Sequence, residues 1–385
     1  MSLLENFSFH EFFRNKEMNN FYLAVAIMTF AEDLISIFIP IYLFKLDYPI
    51  YSILIFYFLM ALWFVIFSYP GAKTVARTGI KRSMVISVLI LILCYTGLAA
   101  LKRNPILFFV LPLLFSWRMI FYNYSYHLNY IIHSNRKKRG AEVSFLAAMT
   151  ILVNVLAPLI GGIIALYAGF LALYATGALL LLIGTLPLSL HNERFEKLKF
   201  TQNDLWKEIM ARKGTLISFS GYAVESIIGR TIWPVFLISI VVTTARTGLI
   251  VTLSMLASLL IVYYSGKITD TYDRQRLLKF GTVLYFFAWI GRIFAGTFLK
   301  IFIVDSYKNI AEKIIHIPWT AKSYDLAMRR GYFRFIVGRE IIYNISRVII
   351  MPILILIFYV DINPFSLSFA IAALCSLGYF FLEER

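Results

Sequence analysis

Residues 21–44 read FYLAVAIMTFAEDLISIFIPIYLF. The stretch is long enough to cross a membrane, because a helix needs about 20 apolar residues to span the hydrocarbon core. Glu32 and Asp33 stand side by side near its middle. A charged carboxylate costs about 2.5 kcal/mol or more there, so the pair needs a reason to exist. Comparable runs recur along the whole chain, which is 60% hydrophobic, 17% aromatic and 15% charged over 385 residues, with mean hydropathy +0.76. That composition excludes a soluble globular protein. It predicts an all-α polytopic membrane protein with no extramembrane segment long enough for a separate domain. The start, MSLLENFSFHEFFRNKEMNN, lacks the short apolar core and small-residue site of a cleaved leader.

Twelve spans are predicted, at 19–45, 48–70, 82–101, 104–130, 142–166, 168–190, 214–242, 246–265, 277–299, 301–323, 333–360 and 363–382. The tenth is polar for a span, but removing it would break the alternation of basic and non-basic loops. One set of segments holds Arg14 and Lys16, the Lys73–Arg82 cluster, Arg136 to Arg139, and the basic residues from Arg194 to Lys213. The same set continues with Lys267 to Lys279, then Arg329, Arg330 and Arg334. The opposite set has only Lys45, Lys102, Arg103, Arg246 and Lys300. Basic residues mark the cytoplasmic side, so both termini are expected inside, in a plasma (inner) membrane. The net charge of +16 is then a topology signal with some attraction to anionic headgroups, and no nucleic-acid partner is implied. The chain is expected to be monomeric.

The twelve spans divide as 6+6 around the linker at 191–213, giving an N-terminal bundle over 1–190 and a C-terminal bundle over 214–385. The halves repeat. AEDLISIFIPIYL in span one matches VESIIGRTIWPVFL in span seven, with Glu32 ahead of Pro40 and Glu225 ahead of Pro234. GAKTVARTGIKR (71–82) and GKITDTYDRQR (266–276) follow the second span of each half. RKKRG to Gly140 and RRG to Gly331 follow the fourth, with Asn154 and Asn344 next in order. Ordered landmarks of this kind mark a duplicated bundle.

Several of these stretches resemble the major facilitator superfamily, and the resemblance covers nearly the whole chain. GKITD, with Gly266 and Asp270, resembles the family's Gly-x-x-x-Asp loop, while the first half keeps Gly71, Arg77 and Gly79 without the acid. APLIGG (Ala157–Gly162) resembles a motif of proton-coupled antiporters, although small residues also serve plain helix packing. The resemblance implies two six-helix bundles rocking around a central cavity lined by spans one, four, seven and ten. It also implies a cytoplasmic latch made by Gly71, Arg77, Gly266, Asp270 and Arg274. A solvated surface acid is the alternative reading of Asp270.

Within the spans, ionisable residues mark paths for solute or protons. The candidates for the cavity are Glu32, Asp33, Arg118, Tyr122, Glu225, Arg230 and Glu312. Spacings of three and four give polar stripes through Asp305, Asn309, Glu312, His316 and Trp319, through Arg118, Tyr122, Tyr126 and Asn129, and through Ser218, Tyr222 and Glu225. Glu340, Asn344 and Arg347 in span eleven read as a self-satisfied network. His127 reads as a satisfied histidine among tyrosines, with a proton relay as the alternative. Adjacent helical residues point about 100° apart, so Glu32 and Asp33 face different neighbours, and Ser36 is in reach of either. The pair is either a proton-coupling device or a structural ion pair with Arg118. Trp117, Tyr222 and Trp319 are candidates for stacking on a solute.

Cys94 and Cys375 sit in apolar runs and suggest neither disulfide nor metal. No HExxH, GxxxxGK[ST] or GxSxG occurs, so no enzyme, cofactor or metal is expected. The function expected is proton-coupled transport of a small solute by alternating access. The alternatives are a flippase for lipids or lipid-linked precursors, and a non-transporting sensor or assembly protein on the same fold.

Overall fold

The computed structural model describes residues 16–133, 155–187, 201–210, 212–271 and 273–382, without the side chains of 16–22, 131–133, 259–271 and 274. The stretch 134–154, with Arg136–Arg139, Gly140 and Asn154, lies outside the described residues. Every predicted span has a helix. Span one runs Lys16–Ser36 and Phe38–Lys45, span two Ile50–Thr78, span three Ile80–Ala100 and span four Leu107–His133. Span five is described over Ala157–Tyr167, and span six covers Gly169–Thr185. The second half holds Lys213–Val241, Thr244–Thr271, Arg274–Ile293, Phe298–Arg330, Tyr332–Val360 and Pro364–Ser376, the last extended by a 3-10 turn at Leu377–Phe381. Seven of these helices are long and apolar enough to cross a membrane unaided. Exposed apolar side chains such as Ile66, Leu93, Leu182, Phe287 and Ile349 cover the outside, as lipid demands of a spanning bundle.

One expectation needs correction. The latch stretches are helical rather than loops. Gly71 and Arg77 lie inside span two, which continues to Thr78, while Gly266 and Asp270 fall in the last turns of span eight and Arg274 opens span nine. Composition misled here, because a helix that has left the hydrocarbon core keeps its backbone bonds while turning polar. Span ten, at 33 residues, is the longest helix among the described residues. Its polar residues find partners on neighbouring helices, as Asp305 does in Arg292 and Trp319 in Ser218, and within span ten, as Lys308 does in Glu312.

Prolines shape the centre. Pro40 has no N–H to offer the carbonyl of Ser36, and span one breaks at Ile37 between its two segments. Pro234 stands four residues after Arg230 inside the continuous span seven. In both halves, therefore, a proline frees the carbonyl of an exposed mid-span residue, Ser36 and Arg230. No hydrogen bond joins Ser36 to Glu32 or Asp33, so its expected role there is not realised.

Helix neighbours obey the repeat. Spans one and six pack together, as do seven and twelve; three and four, as do nine and ten; two and four, as do eight and ten. Between the bundles, span two lies along span eleven, and its symmetry mate is span five on span eight. That second contact is close enough to need glycine. A side chain on Gly162 would strike the carbonyl of Thr244, and one on Gly248 would strike that of Pro158. The hydroxyl of Thr244 also donates to the Gly162 carbonyl at 3.0 Å. APLIGG thus serves as a bundle-to-bundle packing surface, with Gly161 against Leu34 of span one.

Candidate functional site

The N-terminal wall of the centre is built by spans one and four. Arg118 forms an ion pair with Glu32. Its guanidinium also lies 4.5 Å from the ring centroid of Tyr122, which stacks on Tyr126 at 5.8 Å. Leu34 and Ile35 are buried between helices while Glu32 and Asp33 remain partly open, as a helix with one wet face requires. Trp117 stands away from this wall, against Phe67 and Phe121.

Spans seven, ten and eleven build the opposite wall. Arg230 is exposed by surface area although protein surrounds it densely. Both statements hold for a side chain that lines an internal cavity, and the exposure is the better guide to what water or solute can reach. Arg230 feels the charges of Asp33, Glu225 and Glu312, so Asp33 acts on it from the other bundle. Glu312 pairs with Lys308 one turn away and sits 4.0 Å from Lys313. Tyr222 packs against His316, Trp319 and Tyr343, with centroids 5.3, 4.9 and 4.9 Å away. Arg347, 7% exposed, gives a hydrogen bond to Asn344 Oδ1 at 3.2 Å.

Glu225 is not on this wall. It is 3% exposed and accepts hydrogen bonds from Tyr285 at 2.8 Å and Tyr379 at 2.9 Å, with His316 Nε2 at 4.0 Å. The reason is helical phase. Five residues at about 100° each set Glu225 roughly 140° from Arg230, so only one of the two can face the cavity. Asp305 also leaves the stripe drawn through span ten. It pairs with Arg292 at 2.6 Å inside the C-terminal bundle, where Trp233 and Trp289 cover the guanidinium at 3.8 and 4.6 Å.

Side-chain contacts join the two bundles towards both ends among the described residues. At the linker end, His127 Nδ1 meets the Tyr324 hydroxyl at 2.8 Å, and Tyr130 lies against the same ring at 4.8 Å. Asn123 donates to Glu340 at 3.0 Å, and Arg339 holds the other carboxylate oxygen at 3.0 Å. The span-eleven network is therefore not self-contained, since span four joins it. At the far end, the second segment of span one packs on span seven, and Tyr51 meets Tyr359 at 5.9 Å. The linker helix Gln202–Met210 buries Leu205 and Ile209, and its Glu208 binds Arg330 at 2.9 Å and Arg334 at 3.4 Å.

The structure thus pairs Glu32 with Arg118 beside Tyr122, leaves Asp33 partly open and Arg230 exposed, and pairs Glu312 with Lys308. Tyr222, the stacking candidate, packs on spans ten and eleven, and Glu225 turns behind the wall. Among the described residues, no group of three or more His, Cys, Asp or Glu is arranged to hold a metal.

The sequence model of the Major Facilitator Superfamily matches residues 128–307. No curated protein sequence matches the chain. Among solved structures, a single-site variant of the E. coli fucose:proton symporter FucP superposes with TM-score 0.65 at 12% identity, covering 96% of this chain and 98% of that one. A structure of FucP in the outward conformation gives TM-score 0.65 at 14% identity with the same coverage. Family match and superposition agree on the fold: the chain has the helical fold of major facilitator transporters, and the family model matches just under half of it.

Proposed function

We propose that this transporter moves a small solute by alternating access and couples the movement to protons at Glu32 and Asp33. The observation that carries the reading is the division of labour between these neighbours. Glu32 is bound to Arg118 within its own bundle, whereas Asp33 acts on Arg230 of the other. A pair inside one bundle survives rocking. A pair across the bundles is made and broken in each cycle, so protonating Asp33 favours one bundle arrangement over another. That differential is what links a proton to a conformational equilibrium. Arg118, Tyr122 and Tyr95 are among the groups that face Glu32, and Arg230 and Tyr95 are among those that face Asp33.

A solved protein of the same fold is a proton symporter, which supports the coupling without naming a solute for this chain. Contact of span two with eleven and of span five with eight favours a solute from water over a lipid entering sideways. Charged residues at mid-span on both bundles favour transport over a purely sensory role. Termini in the cytoplasm, a plasma-membrane location and a monomeric state complete the reading. They rest on the basic segments and on the 1–190, 191–213 and 214–385 division.

The test uses proteoliposomes with an internal pH dye and a panel of metabolites. A coupled solute moves protons with it in wild type, and Asp33→Asn or Glu32→Gln still exchanges that solute without moving protons. Solute entry with no proton movement in wild type contradicts the coupling.

A further inference from the structure

Glu32 and Glu225 stand at matching places in the two halves, yet their partners differ in kind. Glu32 is held by the guanidinium of Arg118. Glu225 touches no arginine or lysine among the described residues. It is 3% exposed, and each carboxyl oxygen takes one hydroxyl, Tyr379 at 2.9 Å on Oε1 and Tyr285 at 2.8 Å on Oε2. A proton on Glu32 releases Arg118. A proton on Glu225 strands nothing, because a carboxylic acid and a tyrosine hydroxyl can each donate and accept.

The Tyr379 hydroxyl continues the chain. It donates to Glu225 and meets His316 Nε2 at 2.9 Å. The His316 side chain is 22% exposed although protein surrounds it densely. Arg230 shows the same combination, and in both it marks a side chain that opens on internal space. Glu225, Tyr379 and His316 thus form an unbroken line from a buried acid to a wet ring. We propose that Glu225 is a second proton-binding site, filled from the space between the bundles through His316 and Tyr379. An incoming proton adds to Nδ1 of His316. The imidazolium passes its Nε2 proton to the Tyr379 oxygen as that hydroxyl's own proton moves to Glu225 Oε1. The chain ends with an imidazole protonated at Nδ1, an intact tyrosine and a carboxylic acid, and it empties by the same steps in reverse.

The groups that act on Glu225 include Tyr285 from span nine, Lys308, Glu312 and His316 from span ten, and Cys375 and Tyr379 from the last helix. Tyr222 and Arg230 act along its own helix, and Lys313 acts on His316. These all belong to the C-terminal bundle. Rocking therefore leaves the chain intact, and the proton on Glu225 follows the pH of the central space rather than the transport cycle.

The test is infrared spectroscopy of the purified protein. It needs neither solute nor gradient, so it succeeds or fails independently of coupling at Asp33. A carboxylic acid band should grow as the solution is taken from mildly alkaline to mildly acid. Glu225→Gln should abolish that band, and Asp33→Asn should leave it in place. Glu225→Asp keeps an acid and should shift the band, which identifies the group even where Glu225→Gln does not fold. Filling is then timed after a rapid drop in pH. His316→Gln keeps a donor to Tyr379 but cannot pick up a proton, so filling should slow about tenfold or more. Tyr379→Phe should slow it as well, whereas Tyr285→Phe removes the hydroxyl outside the chain and should leave the rate within about twofold. A merely structural network would respond to the two tyrosine changes alike. A band that survives Glu225→Gln, a band lost in Asp33→Asn instead, the absence of any titrating band, or a filling rate untouched by His316→Gln overturns the proposal.

Discussion

Asp305 and Glu32 are both mid-membrane acids paired with arginine, yet their surroundings assign them different work. The Arg292–Asp305 pair is 2% and 5% exposed at the side chains and is boxed by two tryptophans, whereas Glu32 is 23% exposed beside the cavity. Removing one partner of a buried pair leaves an uncompensated charge and costs about 3–5 kcal/mol. Asp305→Leu should therefore lower the thermal midpoint sharply, and Arg292→Met with Asp305→Leu should restore most of it. Equal stability of single and double variants would mean that the pair is no structural element. The sequence left the Glu32–Asp33 pair two readings, proton coupling or an ion pair with Arg118, and Glu32 is found paired with Arg118. It did not reveal that Glu225 turns inward. Spans seven, nine, ten and twelve each contribute to that burial, and no local spacing reports which helix supplies Tyr285 or Tyr379.

At the scale of the helix, glycine and proline carry information that hydropathy does not. Gly248 lies against the backbone of Pro158, whereas Gly296 has open space around it. Gly248→Ala should depress the thermal midpoint by several degrees while Gly296→Ala leaves it nearly unchanged. Similar effects at both sites would remove the span five to span eight contact as a packing requirement. The stretch GKITD extends span eight as helix to Thr271, and a latch there would be helix against helix. Asp270→Asn removes one charge and keeps the shape. If the latch operates, transport should fall severalfold with the melting profile intact, and unchanged transport would make Asp270 a solvated surface acid. Helix ends were the least legible feature in the sequence. Basic clusters mark where the bilayer stops, and the helix does not stop with it.

For the whole molecule, the repeat in the sequence and the pairing of helices agree. The main contacts within the first bundle, and the contact of span two with span eleven, have counterparts six spans on. Duplicated landmarks such as Glu32–Pro40 and Glu225–Pro234 made that architecture legible. The charges themselves have diverged, with Ser36 and Arg230 at corresponding places before the two prolines. In the proposed function, that asymmetry sets Arg230 on one bundle against Asp33 on the other, and the account depends on it. The most direct test is proton movement driven by a solute in proteoliposomes, measured for wild type and Asp33→Asn with a solute selected by binding. The account predicts that wild type moves protons with the solute, and that Asp33→Asn exchanges the solute while the internal pH stays still. Proton movement of the wild-type size in Asp33→Asn, with Glu32→Gln equally unaffected, would contradict it.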